Sequence, residues 1–339
     1  MIKAGIIGLG KMGISHCSII NAHPDVELVA VCEISKLVKS AIEKYSGIKC
    51  FKDYKNMIDQ CKLDCLVVST PTSSHAEIAC HAMKRNIHVF VEKPLSLIPD
   101  EGHKMVYLAK RQNLVNQVGY HHRFICVFQE VKRLIENRAI GDIYHITGEA
   151  YGPVVLREKG STWRSDKSEG GGCLYDYAAH VIDLVNYLVG PPDRVRGAIL
   201  KKIYSRNVDD AVYATFLYNS GLSGQVSVNW SDETYRKMST QIILMGYKGK
   251  IIADRQECKI YLLNKEGFDD MTQGWNMRYI TDFTKPVDFY LRGEEYSAQI
   301  DYFIKCIKEN NTKNLNSFES ALQTDIVIDL LKNDAEKRS

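Results

Sequence analysis

Ala4-Gly5-Ile6-Ile7-Gly8-Leu9-Gly10-Lys11-Met12-Gly13-Ile14-Ser15-His16 is the stretch on which the fold turns. The apolar run Ala4–Ile7 reads as a buried strand, and Met12–Asn21 reads as a helix. Between them stand three glycines in Gly-x-Gly-x-x-Gly spacing. Gly8 permits a tight turn, Gly10 lets backbone approach a pyrophosphate, and Gly13 allows the helix to pack closely on the strand. Leu9, Lys11 and Met12 complete the loop, and the helix N-terminus offers unpaired N–H groups and a positive dipole end to phosphates. Glu33 follows the second apolar run, twenty residues after Gly13. A carboxylate there accepts from ribose hydroxyls and repels a 2′-phosphate, so the expected cofactor is NAD. Lys36 nearby keeps NADP open. The competing reading is a structural glycine turn that holds no ligand.

Working outward, Leu28–Cys32, Cys65–Ser69, His88–Val91 and Val115–Val118 read as further buried strands. Ser35–Tyr45 and Ser74–Lys84 read as helices between them. This alternation predicts a doubly wound parallel α/β layer over 1–121. From 122 to 339 the pattern changes: helix Phe124–Asn137, a strand at Ile143–Ala150, helix Leu174–Val189, then a strand-rich stretch from Arg194 to Leu263. That predicts an open, mostly antiparallel sheet, closed by helices at Tyr296–Glu309 and Phe318–Leu331.

The 339 residues suffice for two domains. Their 44 Lys and Arg balance 41 Asp and Glu, for a net +3, which argues against nucleic acid or a membrane surface as partner. No apolar run reaches the length of a membrane span. Met1 leads directly into a strand, so a leader is not expected and the cytoplasm is the expected location. None of the ten cysteines forms a Cys-x-x-Cys pair. They read as reduced, mostly buried thiols. Cys61 and Cys65, near His75 and His81, fit no zinc pattern, and no metal is expected.

Two further places carry chemistry. Glu92-Lys93-Pro94 ends the strand Ile87–Val91, and ligands of open α/β sheets bind beyond the carboxyl ends of strands. The plain alternative for Lys93 is a solvated strand end. Gly170-Gly171-Gly172 precedes a helix whose Asp176, His180, Asp183 and Tyr187 fall, at about 100° per residue, within a stripe roughly 60° wide. Without Lys, Arg or Glu, that stripe suits a cleft as well as it suits water.

Taken in order, Gly8–Gly13, Thr70-Pro71-Thr72 with His75, Glu92-Lys93-Pro94, and the triple glycine leading to Asp176, His180 and Asp183 resemble the glucose–fructose oxidoreductase / inositol dehydrogenase / rhizopine-catabolism (Gfo/Idh/MocA) family over nearly the full length. The resemblance implies a Rossmann domain (1–121) and a substrate and oligomerisation domain (122–339), in homodimers or homotetramers. It implies Lys93, Asp176 and His180 as the catalytic set. Thr70, Pro71, His75 and Glu92 would line the cofactor path. Trp163-Arg164 sits where such proteins often reach substrate, and the Lys93-Pro94 peptide is often cis in them; Arg123 is a further candidate for substrate hydroxyls or an anionic group.

The expected activity is an NAD(P)-dependent dehydrogenase acting on a secondary hydroxyl of a sugar, cyclic polyol or nucleotide sugar, or the reverse reduction. Histidine titrates near neutrality, which suits His180 as general acid/base, with Lys93 stabilising the alkoxide. Two alternatives stand beside it: a reductase of a keto-sugar or dihydrodiol-type substrate, and a non-catalytic NAD(P)-binding sensor of the same fold.

Overall fold

The structure is a computed structural model that describes residues 1–157, 162–264, 267–268, 270–283 and 293–337. The chain divides into two compact units, Met1–His121 with Pro286–Leu322, and His122–Lys285 with Gln323–Ser339.

In the first unit, β1 (Ile2–Ile7), α1 (Lys11–Ala22), β2 (Val26–Cys32), α2 (Lys36–Ser46), β3 (Lys49–Phe51), α3 (Tyr54–Gln60), β4 (Cys65–Val68), α4 (His75–Met83), β5 (His88–Val91), α5 (Pro99–Arg111) and β6 (Asn116–Val118) follow one another. The six strands form one parallel sheet in the order β3-β2-β1-β4-β5-β6. The order reverses between β1 and β4, which opens a crevice at the ends of both strands. Local chemistry sets the helix limits. Ser35 caps α2 by accepting from the Val38 N–H, and Gly47, at φ 68°, ends it. In α5, Pro99 starts the helix, Asp100 and Glu101 lie in its first turn and Lys110 and Arg111 in its last, in line with the helix dipole.

The expected boundary at 121/122 differs from the observed division in one respect: Pro286–Leu322 groups with the first unit. The reason is apolar cover. Ile300, Phe303, Ile304, Cys306 and Ile307 join the core formed by Ala4, Ile6, Ile19, Ile20, Phe90 and Val115. Burying one such large side chain is worth roughly 1.5–3 kcal/mol. Asparagines fasten the same segment to β6. Asn314 donates to the Asn116 carbonyl, Asn316 donates to the carbonyls of Val118 and Tyr120, and Asn116 accepts from the Phe318 N–H.

The second unit is an eight-stranded sheet with helices α6 (Cys126–Glu136) and α7 (Ala179–Val189). Its strands are β7 (Ile143–Tyr151), β8 (Arg194–Lys201), β9 (Ala211–Leu217), β10 (Ser223–Asn229), β11 (Gln241–Gly246), β12 (Gly249–Ala253), β13 (Glu257–Leu262) and β14 (Gly274–Tyr279). They lie in the order β14-β13-β12-β11-β7-β10-β9-β8. Every pairing is antiparallel except β7 with β10. Strand alternation buries Ile146, Gly148, Ala150, Val226, Val228, Ile242 and Leu244 on one face. Helix α7 lies close enough there that a Cβ at Gly148 would meet Val181 at 2.6 Å. The last two helices are α8 (Glu294–Lys308), in the first unit, and α9 (Phe318–Glu336), whose residues from Gln323 onward belong to the second.

Candidate active site

The three glycines of the first loop answer to different demands. A Cβ at Gly13 would sit 1.8 Å from the Gly8 carbonyl oxygen, and Gly8, at φ 85°, would press a Cβ against the Ser69 carbonyl at 2.8 Å. Both are therefore fixed by the protein's own packing. At Gly10 a Cβ meets only open space, so nothing in the chain demands glycine there. A ligand lying on the loop would. Gly10 is also the N-cap of α1 and provides no side-chain cap, which leaves the helix N–H groups facing outward. The loop fits the pyrophosphate of a dinucleotide.

Glu33 braces that loop. Its Oε2 accepts the Leu9 N–H at 2.7 Å and its Oε1 accepts the Ser35 N–H at 2.8 Å, while the Gly8 N–H donates to the Cys32 carbonyl at 2.9 Å. The carboxylate is thereby held at the end of β2. Lys11 is exposed and Met12 half-buried.

Across the switch point, Thr70 is half-buried, its hydroxyl accepting from Ser74 at 2.7 Å, and Pro71 is exposed. His75, set on the cofactor path by the resemblance, is fully buried at the start of α4. Its Nδ1 lies 3.0 Å from the Pro94 carbonyl and its Nε2 3.0 Å from the Thr70 carbonyl. Burial pushes its pKa down, against the pull of those carbonyls. Glu92 is likewise turned into the protein. Its Oε1 lies 2.6 Å from His16 Nε2, and its Oε2 accepts the Lys93 N–H at 3.2 Å. Burial raises the Glu92 pKa, but His16 and Lys93 outweigh it and the carboxyl stays below its usual range. Lys93 itself is half-buried, and the Lys93-Pro94 peptide is cis.

In the second unit the triple glycine serves packing. A Cβ at Gly171 would lie 2.5 Å from the Arg164 carbonyl oxygen, and one at Gly172, at φ 110°, would lie 2.6 Å from Asp209 Oδ1. The following helix departs from a uniform 100° per residue: Leu174–Ala178 forms a π turn, with the Ala179 N–H bonded to the Leu174 carbonyl, before α7 begins. Such turns recur at functional sites. Asp209 caps it, accepting the Leu174 N–H at 2.7 Å. Burial pushes the Asp209 carboxyl up to about 6.

Asp176 stands in the π turn, and its Oδ2 accepts from Arg164 Nε at 2.9 Å. The Arg164 guanidinium also stacks 4.5 Å from the Trp163 ring. His180, 6% exposed, packs against His122, 1% exposed, with ring centroids 4.8 Å apart. Arg123 is buried in a bidentate pair with Asp183, Nε to Oδ2 at 2.8 Å and Nη2 to Oδ1 at 2.6 Å. Thr324 adds a bond to Asp183 at 3.3 Å. Burial raises the Asp183 pKa in spite of Arg123. Of the ordered stripe, then, Asp183 is occupied by an arginine of its own unit, and Asp176 and His180 stand at the start of the helix.

Three side chains now belong to the description that motif reading passed over. His16 had a legible signal, standing three residues after Gly13 on the helix face that packs inward. His122 stands beside His121 at the expected 121/122 boundary. Asp209 had none, because it lies 35 residues beyond the helix it caps.

Comparison with known proteins gives consistent results. Residues 2–120 match the model of the GFO_IDH_MocA oxidoreductase family, NAD-binding Rossmann fold, and residues 128–252 match the GFO/IDH/MocA C-terminal domain. The NAD(+)-dependent scyllo-inositol 2-dehydrogenase of Bacillus subtilis (strain 168) is 23% identical over 336 residues, covering 96% of this chain and 92% of that protein. The glucose-6-phosphate 3-dehydrogenase of the same organism is 32% identical over 190 residues, 56% of this chain and 54% of that protein. Among solved structures, a levoglucosan dehydrogenase in complex with NADH superposes with a TM-score of 0.87 at 24% identity, covering 100% of this chain and 98% of that one, a likeness of fold.

Proposed function

Since this chain belongs to the Gfo/Idh/MocA family of oxidoreductases with an NAD-binding Rossmann fold, we propose that it oxidises a secondary hydroxyl of a sugar, cyclic polyol or nucleotide sugar with NAD, or runs the reverse reduction. The observation that carries the reading is the open cradle at Gly10 beside a loop braced by Glu33. The names of the inositol and glucose-6-phosphate dehydrogenases among its relatives support the substrate class.

NAD, when bound, supplies the hydride acceptor. Gly8–Gly13 and the N-terminus of α1 hold its phosphates, and Glu33 accepts from the adenosine ribose. His180 removes the hydroxyl proton as the alcohol is oxidised, and returns it in the reverse direction. Lys93 donates a hydrogen bond to the same oxygen, stabilising charge as it develops there. Asp176, held by Arg164, binds a neighbouring substrate hydroxyl. Both arginines are paired, but the Arg123 side chain is 3% exposed in its pair with Asp183, whereas that of Arg164, paired with Asp176, is 42% exposed, so Arg164 is the better candidate for an anionic group on the substrate.

Incubation with NAD and a panel of scyllo-inositol, myo-inositol, glucose, glucose 6-phosphate and nucleotide sugars, followed by nicotinamide absorbance, tests the reading. Turnover of at least one polyol is expected, and His180→Ala should lower it by about two to four orders of magnitude while NADH affinity holds. A chain that binds no NADH, or a His180→Ala chain with wild-type turnover, refutes the respective part.

We also propose that the chain forms homodimers or homotetramers through the sheet face away from α6 and α7. There Trp275 is 57%, Met277 49% and Tyr279 49% exposed, with Tyr261 against Trp275 at 5.3 Å. Exposed apolar side chains grouped along one strand in this way favour an interaction surface. Light scattering on the wild type and on Trp275→Glu tests it; a monomeric wild type overturns it.

A further inference from the structure

We propose that His16 and His75 are positioning residues for Lys93, fixing the two sides of its turn from two different helices. The inference rests on the reading of Lys93 as the group that faces the reacting oxygen. His16 comes from α1 and His75 from α4, the helices that follow Gly8–Gly13 and Thr70-Pro71, and both are fully buried. On the side before Lys93, His16 Nε2 holds Glu92 Oε1 at 2.6 Å, and the other carboxylate oxygen accepts the Lys93 N–H at 3.2 Å. The edge of Phe90 closes on the His16 ring at 5.2 Å. Gly119 leaves the space that the carboxylate fills: a Cβ there would lie 3.0 Å from both of the Glu92 carboxylate oxygens. On the side after Lys93, His75 Nδ1 meets the Pro94 carbonyl at 3.0 Å while Nε2 meets the Thr70 carbonyl at the same distance.

Two buried imidazoles could serve stability alone. Their targets speak for more. Each engages a residue directly adjacent to Lys93, and each ties it to a segment that borders the nucleotide crevice. The half-buried lysine is thereby given a fixed base, and the dinucleotide loop and the lysine turn become parts of one assembly. Displacement of a reacting group by about 1 Å can cost up to roughly a hundredfold in rate.

The test combines His16→Leu and His75→Leu with Lys93→Met in the full chain. NADH binding is read by fluorescence, turnover with the most active polyol of the panel, and trinitrobenzenesulfonate labelling of Lys93 in the cofactor-free protein by mass spectrometry. Each leucine variant should lose about tenfold to a hundredfold in turnover, keep NADH affinity, and lose nothing more in the Lys93→Met background. Labelling of half-buried Lys93 should change by more than about twofold, because access of the reagent to the amine follows the placement of its turn, while that of exposed Lys84 and Lys104 stays constant. Multiplicative losses in the Lys93→Met background, or unchanged labelling, overturn the proposal. Unchanged turnover in the leucine variants alongside an impaired Lys93→Met chain removes the positioning role alone. A fully active Lys93→Met chain removes the assigned role of Lys93 and this inference with it. If a leucine chain does not fold, Glu92→Gln and His16→Gln replace it. Glu92→Gln should reproduce the loss, and His16→Gln, which keeps an N–H donor toward Glu92, should recover most of it; the opposite order overturns the proposal.

Discussion

Leu9 donates its backbone N–H to Glu33 Oε2 at 2.7 Å, so the acid that ends the second strand braces the loop that ends the first. One carboxylate braces the phosphate loop through the Leu9 and Ser35 N–H groups, and in the proposed complex its remaining lone pairs would accept from the adenosine ribose.

Glu33→Ala should therefore weaken NADH by about tenfold to a hundredfold, the range for hydrogen bonds to a charged group, and should weaken NADPH less. Fluorescence titration with both nucleotides measures this. An unchanged ratio of the two affinities would remove Glu33 from cofactor selection.

Gly10 and Gly13 should separate binding from folding. Gly10→Ala places its methyl in open space, so the thermal midpoint should hold while NADH affinity falls. Gly13→Ala drives a carbon against the Gly8 carbonyl and should lower the midpoint of the cofactor-free chain as well. Calorimetry alongside the same titration checks both; equal midpoints for the two variants would contradict the assignment.

The Arg123–Asp183 pair is buried from both ends, with side-chain exposures of 3% and 0%. Arg123→Ala strands an unpaired carboxylate and should cost about 3–5 kcal/mol. Replacing both partners by apolar residues, Arg123→Met with Asp183→Leu, should recover most of that loss in urea unfolding. A double variant as unstable as the single one would show that the pair is needed for more than charge matching.

Asp209 gives a signed pH dependence. Its folded pKa lies above its ordinary value, raised by burial from 3.8 to about 6, so the folded chain holds that proton more tightly than the unfolded one. Its contribution to stability is therefore greatest at low pH, declines as the pH rises between those two values, and is constant above them. Asp209→Asn keeps an oxygen for the Leu174 N–H and should flatten that decline, raising the midpoint at neutral pH by a few degrees. A variant whose midpoint falls in parallel with the wild type over that interval would rule out Asp209 as its source.

Legibility followed distance along the chain. The strands at His88–Val91 and Ile143–Tyr151 and the helix at Lys11–Ala22 were readable to within a residue or two, because apolar periodicity is a local property. The short β3 and α3 offered too few residues for a period to register. The π turn at Leu174–Ala178 escaped because its bonding answers to Asp209 and to the tight approach of the Arg164 backbone at Gly171, neither of which a helical wheel contains.

What the sequence determined by itself is the strand–loop–helix of Gly8–Gly13 with its acid at Glu33, since turn sterics, helix dipole and strand end are all settled within some thirty residues. Only the tertiary structure decided that Glu92 belongs to His16, that Arg123 belongs to Asp183, and that the helix Glu294–Lys308 covers the first sheet. Those pairings join residues 60 or more positions apart. Sheet order and the need of each buried charge or apolar face for cover select them, and neither is written in any single segment.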